Sequence, residues 1–312
     1  MKPRSAPSRL LLLLPLILKD TFRAFSTDKV PRLGAALAYY TIFSLAPLLM
    51  ICIAAAGFIF GAEASRGEIM KSLQGAVGPL GAAAIEEMIK NAKQPGTGAL
   101  AATLGFVALL FGASGVFGEL QESLDMIWGV APRPGRTFLT LLRQRFLSFA
   151  MVLGVAFLLL VSLILTTALS AVLGYFSQHL PVPSILMHGI NFTGSFVMIT
   201  FLFAAIFKVL PDAKVAWNDT WIGAAFTAFL FSVGKFLIGL YLGNSSVASV
   251  YGAAGSLVIL LVWVYYSAQI LFLGAEFTQI YARRFGSKLE PKPHAVIINF
   301  KKIPAPPSAN SS

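Results

Sequence analysis

Apolar residues in this chain come in long runs rather than in alternation. Six stretches stand out, at 34–60, 98–118, 146–173, 190–210, 217–242 and 252–281. Each is about 20 residues or longer, enough for a helix to cross a hydrocarbon core of about 30 Å. They are too long and too continuous for barrel strands, which need about ten alternating residues. The pattern predicts an all-α, polytopic membrane protein with six transmembrane helices. Breakers fall between the runs. Pro95–Gly96 precedes the second, Pro132–Arg133–Pro134–Gly135 separates the second from the third, and Pro181 and Pro183 stand before the fourth. Pro211 closes the fourth, and Gly243–Asn244–Ser245–Ser246 divides the fifth from the sixth. The organisation expected is a cytoplasmic or interfacial N-terminal segment at 1–33, a six-helix membrane domain at 34–284, and a flexible cytoplasmic tail at 285–312.

Three segments outside the runs carry their own patterns. Met1 to Arg9 is basic and Leu10 to Leu18 is apolar, but nine apolar residues do not span. Lys19 and Asp20 follow at once, with no small-residue cleavage pattern, so a retained helix over 8–27 lying along the membrane surface is expected. Between the first two runs, Ile69, Leu73, Val77, Leu80, Ile85, Met88 and Ile89 form short apolar faces among Glu63, Glu68, Lys71, Glu86, Glu87 and Lys90. That segment, 62–97, predicts an outer amphipathic element of one or two helices that covers helix ends or caps a cavity. Pro291, Pro293, Pro304, Pro306 and Pro307 with a Ser/Asn end predict the flexible tail.

Composition agrees with the runs. Hydrophobic residues make up 57% of the 312 and charged residues only 12%, against about 25% charged in a typical soluble domain. The net charge of +11 is partitioned rather than clustered. Of 24 lysines and arginines, 19 lie before Gly34, in the second and fourth connections, or after the sixth run. The first connection holds four, Arg66, Lys71, Lys90 and Lys93, and Lys235 is the remaining one. By the positive-inside rule both termini are cytoplasmic. A dispersed basic rim fits anionic headgroups of the inner leaflet and does not form the single charged face, with aromatic platforms, that nucleic acid requires. Membrane lipids are therefore the expected partners, and nucleic acid is not. Cys52 stands alone, so no intramolecular disulfide or cysteine metal cluster forms.

Lys235 and Glu276 are the only charges deep inside the runs, and an intramembrane charge is costly enough to call for a role. Lys235 lies eight residues before Gly243, roughly 12 Å from the outer end. It either snorkels outward or offers a cation to a phosphate or carboxylate inside a cavity. Glu276 lies seven residues before Arg283, towards the cytoplasmic end, with Lys208 as its expected partner. Gly252 and Gly255 at the entry of the sixth run, and Pro47 within the first, mark close packing, an unwound turn or a kink. Gly57–Gly61 and Gly112–Gly115–Gly118 have helix-packing spacing. Glu119, Glu122 and Asp125 follow the second run at helical spacing and call for cations, with Arg133, Arg136, Arg143 and Arg145 the candidates. His179, His188 and His294 have no metal-ligand spacing, and neither a nucleophile elbow nor a phosphate loop is present. No cofactor, metal site or catalytic residue is expected.

Four stretches together resemble the YihY/BrkB family of bacterial inner-membrane proteins, over about residues 15–285. They are Ala35-Ala36-Leu37-Ala38-Tyr39-Tyr40-Thr41-Ile42-Phe43-Ser44-Leu45-Ala46-Pro47; Gly118-Glu119-Leu120 through Leu124-Asp125 to Ile127-Trp128; Val250-Tyr251-Gly252-Ala253-Ala254-Gly255; and Trp263-Val264-Tyr265-Tyr266-Ser267 to Gly274-Ala275-Glu276. Asp125 stands where the family more often has asparagine. The resemblance implies a six-helix fold in the plasma membrane and supplies no catalytic mechanism; an older ribonuclease name for members is disfavoured here. Two readings follow. One is a transporter-like or lipid-handling protein using Lys235, Glu276, Lys208, Gly252, Gly255 and Pro47 as path or gate. The other is a non-transporting scaffold for envelope assembly, a homo-oligomer packed through its glycine faces.

Overall fold

The computed structural model describes residues 7–60, scattered helical residues between 66 and 90, and residues 115–133, 184–244, 255–286 and 290–298. The expected third span, the second span up to residue 114, and Gly112, Arg136, Arg143, Arg145 and Gly252 lie outside the described residues, as does the side chain of Pro47.

Helix α1 runs Pro7–Thr27 and α2 runs Val30–Phe60. A short turn joins them, with Lys29 in the left-handed region at φ 53°. Its N–H bonds the Ser26 carbonyl, and its own carbonyl opens the next helix by accepting from Arg32. Helix α3 covers 115–128. It ends at Gly129, whose φ of 66° suits glycine and whose N–H closes on the Met126 carbonyl. Helices α4 (Ser184–Val209), α5 (Trp217–Asn244) and α6 (Gly255–Phe285) complete the bundle.

Within α4, α5 and α6, the stretches Phe192–Val209, Trp217–Tyr241 and Leu257–Phe285 are long and apolar enough to cross a membrane. Many of their large apolar side chains face outward, among them Phe192, Phe201, Phe229, Phe236, Leu240 and Leu261. In water that surface would be unstable; against lipid tails it carries no penalty.

Helix α6 is the centre of the bundle and packs on α5, α2 and α1. Against α2, Gly34 lies so close that a Cβ there would meet Gln269 at 3.3 Å and Tyr265 at 3.6 Å. Against α1, Ile17 and Leu18 pack with Phe277, Ile280 and Tyr281. Helix α3 meets α2 where Gly115 approaches Tyr40 and Ser44. Among the described residues of the expected amphipathic segment, Ala82, Ile85 and Ile89 are buried with Ala38, Leu49 and Ile53 of α2 and Leu260 and Val264 of α6. It covers helix flanks, and Glu86 ties its polar side to Arg66 at 3.2 Å and Lys90 at 3.3 Å.

Two short ladders add strand to the all-α expectation. Strand β1 (Val130–Pro132) pairs antiparallel with β4 (Ala295–Ile297), and β2 (Ala213–Lys214) with β3 (Glu290–Pro291). The part of the expected flexible tail at 290–298 is therefore hydrogen-bonded to two inter-helix loops. The prolines there suggested disorder because its strand partners lie about 80 and 165 residues away, beyond what local pattern reveals.

Candidate functional site

The antiparallel contact between α5 and α6 is built from a reciprocal pair of Gly-x-x-x-Thr units. A Cβ at Gly223 would fall inside the van der Waals envelope of Thr278, and one at Gly274 inside that of Thr227. Each threonine hydroxyl is held by its own helix: Thr227 Oγ1 donates to the Gly223 carbonyl at 2.7 Å and Thr278 Oγ1 to the Gly274 carbonyl at 2.6 Å. The small residues let the backbones close, and the hydroxyl oxygen of each threonine is its nearest atom to the facing glycine. The same Gly-x-x-x-Thr spacing stands in both runs, beside the Gly-x-x-x-Gly and Gly-x-x-Gly spacings found elsewhere in the chain.

Further polar groups are buried on the same two helices, and at about 100° per residue Glu276 lies on the side of α6 turned away from Thr278. Thr220, Thr227, Glu276, Thr278 and Gln279 have no solvent exposure. Both carboxylate oxygens of Glu276 are fully buried. Arg283, two turns further along α6, is the cation whose charge acts on Glu276. Gln279 reaches α3, donating Nε2 to the Ile127 carbonyl at 2.6 Å.

The expected Glu276–Lys208 pair does not form. Lys208 donates instead to the Val215 carbonyl and stands 5.4 Å from the Trp217 ring centroid. The chain turns at Pro211, bringing a carbonyl seven residues on and an indole nine residues on back to the lysine. These local partners win over a residue on another helix. Lys235 is exposed, flanked by exposed Val233, Phe236 and Leu237. Its neighbour Gly234 faces Ile270 and Tyr266, whereas Glu276 lies six residues beyond Ile270. Lys235 and Glu276 are thus an outward-facing and an interior charge, and they are not brought together. Gly255 is buried at the start of α6, and α2 continues as helix through position 47.

A second polar cluster closes the end of the bundle where α3, α4 and α6 finish. Asp125 and Asp212 are both buried. Asp125 Oδ1 accepts the Asp212 N–H at 2.6 Å. The Asp212 carboxylate accepts Gln121 Nε2 at 3.2 Å and lies 3.0 Å from His294 Nε2. The Asp212 carbonyl accepts the Lys292 N–H at 2.8 Å, and Lys292 Nζ donates to the Val209 carbonyl at 3.1 Å. Burial pushes the Asp125 carboxyl up to about 7, against the Asp212 N–H and Lys292, which favour its charged form. Burial likewise pulls the Lys292 ammonium down, opposed by Asp212 and Asp125. The cations expected for Asp125 were arginines of the following connection. Arg136, Arg143 and Arg145 among them lie outside the described residues, and among the described groups Asp125 meets a backbone N–H from the fourth connection, with Lys292 of the C-terminal segment acting on its charge. Nothing in local spacing could have joined 125, 212, 292 and 294. Among the described residues no group of histidine, cysteine and carboxylates could hold a metal ion.

Apolar helices with outward hydrophobic faces, a glycine-tight interior contact and a polar cap at one end define an integral membrane protein of helical type. The chain belongs to the virulence factor BrkB family, whose sequence profile matches residues 21–298. It is 30% identical over 275 residues to a UPF0761 membrane protein of Verminephrobacter eiseniae, covering 84% of this chain and 60% of that one. A UPF0761 membrane protein of Tolumonas auensis is 27% identical over 256 residues, covering 80% of each. One from Pseudoalteromonas translucida is 27% identical over 261 residues, covering 80% of this chain and 81% of the relative. The chain thus spans under two thirds of the length of the first relative and about four fifths of the other two. No solved structure matches it.

Proposed function

We propose that this chain is a six-span protein of the bacterial inner membrane, with both ends in the cytoplasm, that moves or handles an amphiphile or solute through the α5–α6 region. The observation that carries the reading is the full burial of Glu276, with Gln279 one turn further along α6. A carboxylate, an amide and three hydroxyls with no solvent exposure lie inside helices otherwise suited to lipid. The three hydroxyls bond carbonyls of their own helices, whereas an ionisable group such as Glu276 inside a membrane helix is costly and marks a functional position. The orientation is supported by charge: Lys208, Lys214, Arg283, Arg284 and Lys292 gather at the end that holds the two short ladders. The reading has no catalytic step and needs no cofactor.

The test is reconstitution into sealed vesicles, with headgroup-labelled lipid exchange and solute flux measured for the wild type and for Glu276→Gln. The amide keeps the shape and removes the charge. Movement that depends on Glu276 supports the reading; identical movement in both proteins removes Glu276 from it. A second reading, a non-transporting scaffold, is favoured by the interlock of Gly223 with Thr278 and Gly274 with Thr227, which holds α5 and α6 at one distance. That reading expects no movement of lipid or solute in either protein.

A further inference from the structure

Most described cations at the polar end of the bundle already have partners. Arg284 pairs with Asp20, Lys214 with Glu290 at 3.7 Å, and Arg283 with the charge of Glu276. Lys208 and Lys292 donate to the carbonyls of Val215 and Val209. Lys19, Arg23, Lys29 and Arg32 differ. All four are exposed, and none takes part in an ion pair among the described residues.

Their surroundings are apolar in a specific way. On α1, Ile17 and Thr21 are buried against the bundle, whereas Leu16 is 47% and Phe22 61% exposed. With about 100° per residue, Leu16, Lys19, Phe22 and Arg23 share one arc of about 120° on the side away from Ile17. The helix is fixed in that orientation by Asp20–Arg284 and by Ile17 and Leu18 on Phe277, Ile280 and Tyr281. These α6 residues are the last two turns of an apolar stretch long enough to span. The outward arc of α1 therefore lies level with the end of a membrane-spanning helix, where headgroups begin. Lys29 and Arg32 extend the same positive strip around the α1–α2 turn.

We propose that the outer face of α1, with the turn that follows, is a docking surface for anionic phospholipid. Phe22 and Leu16 enter the acyl boundary, and Lys19, Arg23, Lys29 and Arg32 hold phosphate-bearing headgroups. The chemistry is complementary: compact cations with apolar side chains between them match a surface that is negative above and hydrocarbon below. The inference rests on the membrane-spanning part of the reading above and not on transport, so a failure of lipid or solute movement leaves it intact.

The test uses the full chain in nanodiscs of phosphatidylcholine with phosphatidylglycerol. Spin-labelled phosphatidylglycerol is expected to associate preferentially over spin-labelled phosphatidylcholine, and the preference to fall by about fivefold or more in K19Q/R23Q/K29Q/R32Q. A folded quadruple variant with undiminished preference overturns the proposal. Should that variant fail to fold, a spin label at F22C on a C52S background gives an independent reading. Relaxation by oxygen, with little from a water-soluble nickel chelate, supports bilayer contact. Relaxation mainly by the chelate, or by neither reagent because a protein partner covers the face, overturns it.

Discussion

At the scale of single residues, the two charges within the apolar runs occupy different surroundings, Lys235 among exposed Val233, Phe236 and Leu237 and Glu276 fully buried on α6. Lys235 and Glu276 stand out in the sequence because each interrupts a long apolar run. Which way each side chain turns was hidden, because α5 and α6 are apolar nearly all round and lack one polar face to fix their rotation. The structure separates the two: Lys235 faces outward beside Phe236, and Glu276 is enclosed. The Gly223–Thr278 and Gly274–Thr227 contacts were legible in principle, since two oppositely directed spans carry the same Gly-x-x-x-Thr spacing. They support a sharp prediction. Gly223→Val adds branched carbons where Thr278 already lies and should cost about 1–3 kcal/mol. In a cycle of Gly223→Ala with Thr278→Gly, the pair should couple by about 0.5–3 kcal/mol, because removing the threonine opens the space the new methyl needs. Denaturant titration of the purified protein in detergent measures both. Additivity would mean that the two helices do not meet at this point.

At the scale of elements, helices were legible and their polar closures were not. The runs anticipated α2, α4, α5 and α6 because about 20 apolar residues leave the backbone no other way to satisfy itself in lipid. The amphipathic pattern at 62–97 also predicted helix, and its Ile85 and Ile89 are buried as such a face requires. The ladders at 130–132, 213–214 and 290–297 escaped, because each strand is only two or three residues and its partner is remote. A chain ended at Gly286 should lose both ladders. Amide exchange at 130–132 and 212–214 should then accelerate by about tenfold or more, and unchanged exchange would deny the closure.

The same closure has a pH dependence of defined sign. Burial holds the Asp125 carboxyl up at about 7 in the folded chain, well above the ordinary carboxylate range. Its folded form holds the proton more tightly than its unfolded form. Its contribution to stability is therefore full below about pH 4 and lost as pH rises towards 7. Asp125→Asn keeps an oxygen to accept the Asp212 N–H and removes the charge. The substitution should flatten the pH profile and raise the melting midpoint at pH 8 by about 2–4 °C. A lowered midpoint at pH 8 would mean that the charge, and not only its oxygen, holds the cap together.

At the scale of the whole molecule, a helical membrane body is joined to one polar, basic end. That end gathers the finish of α3, α4 and α6, the buried pair Asp125 and Asp212, and the C-terminal ladder. The charge distribution expects it in the cytoplasm, because translocating so many lysines and arginines across an energised membrane is unfavourable. Glu290 lies at this end, exposed and paired loosely with Lys214. A single cysteine at position 290, on a background of Cys52→Ser, reads its side directly. In intact spheroplasts a membrane-impermeant maleimide should leave that cysteine unmodified and should modify it once the membrane is opened. Modification before opening would put the basic end outside and contradict the arrangement on which the buried Glu276, the polar cap and the outward face of α1 are all oriented.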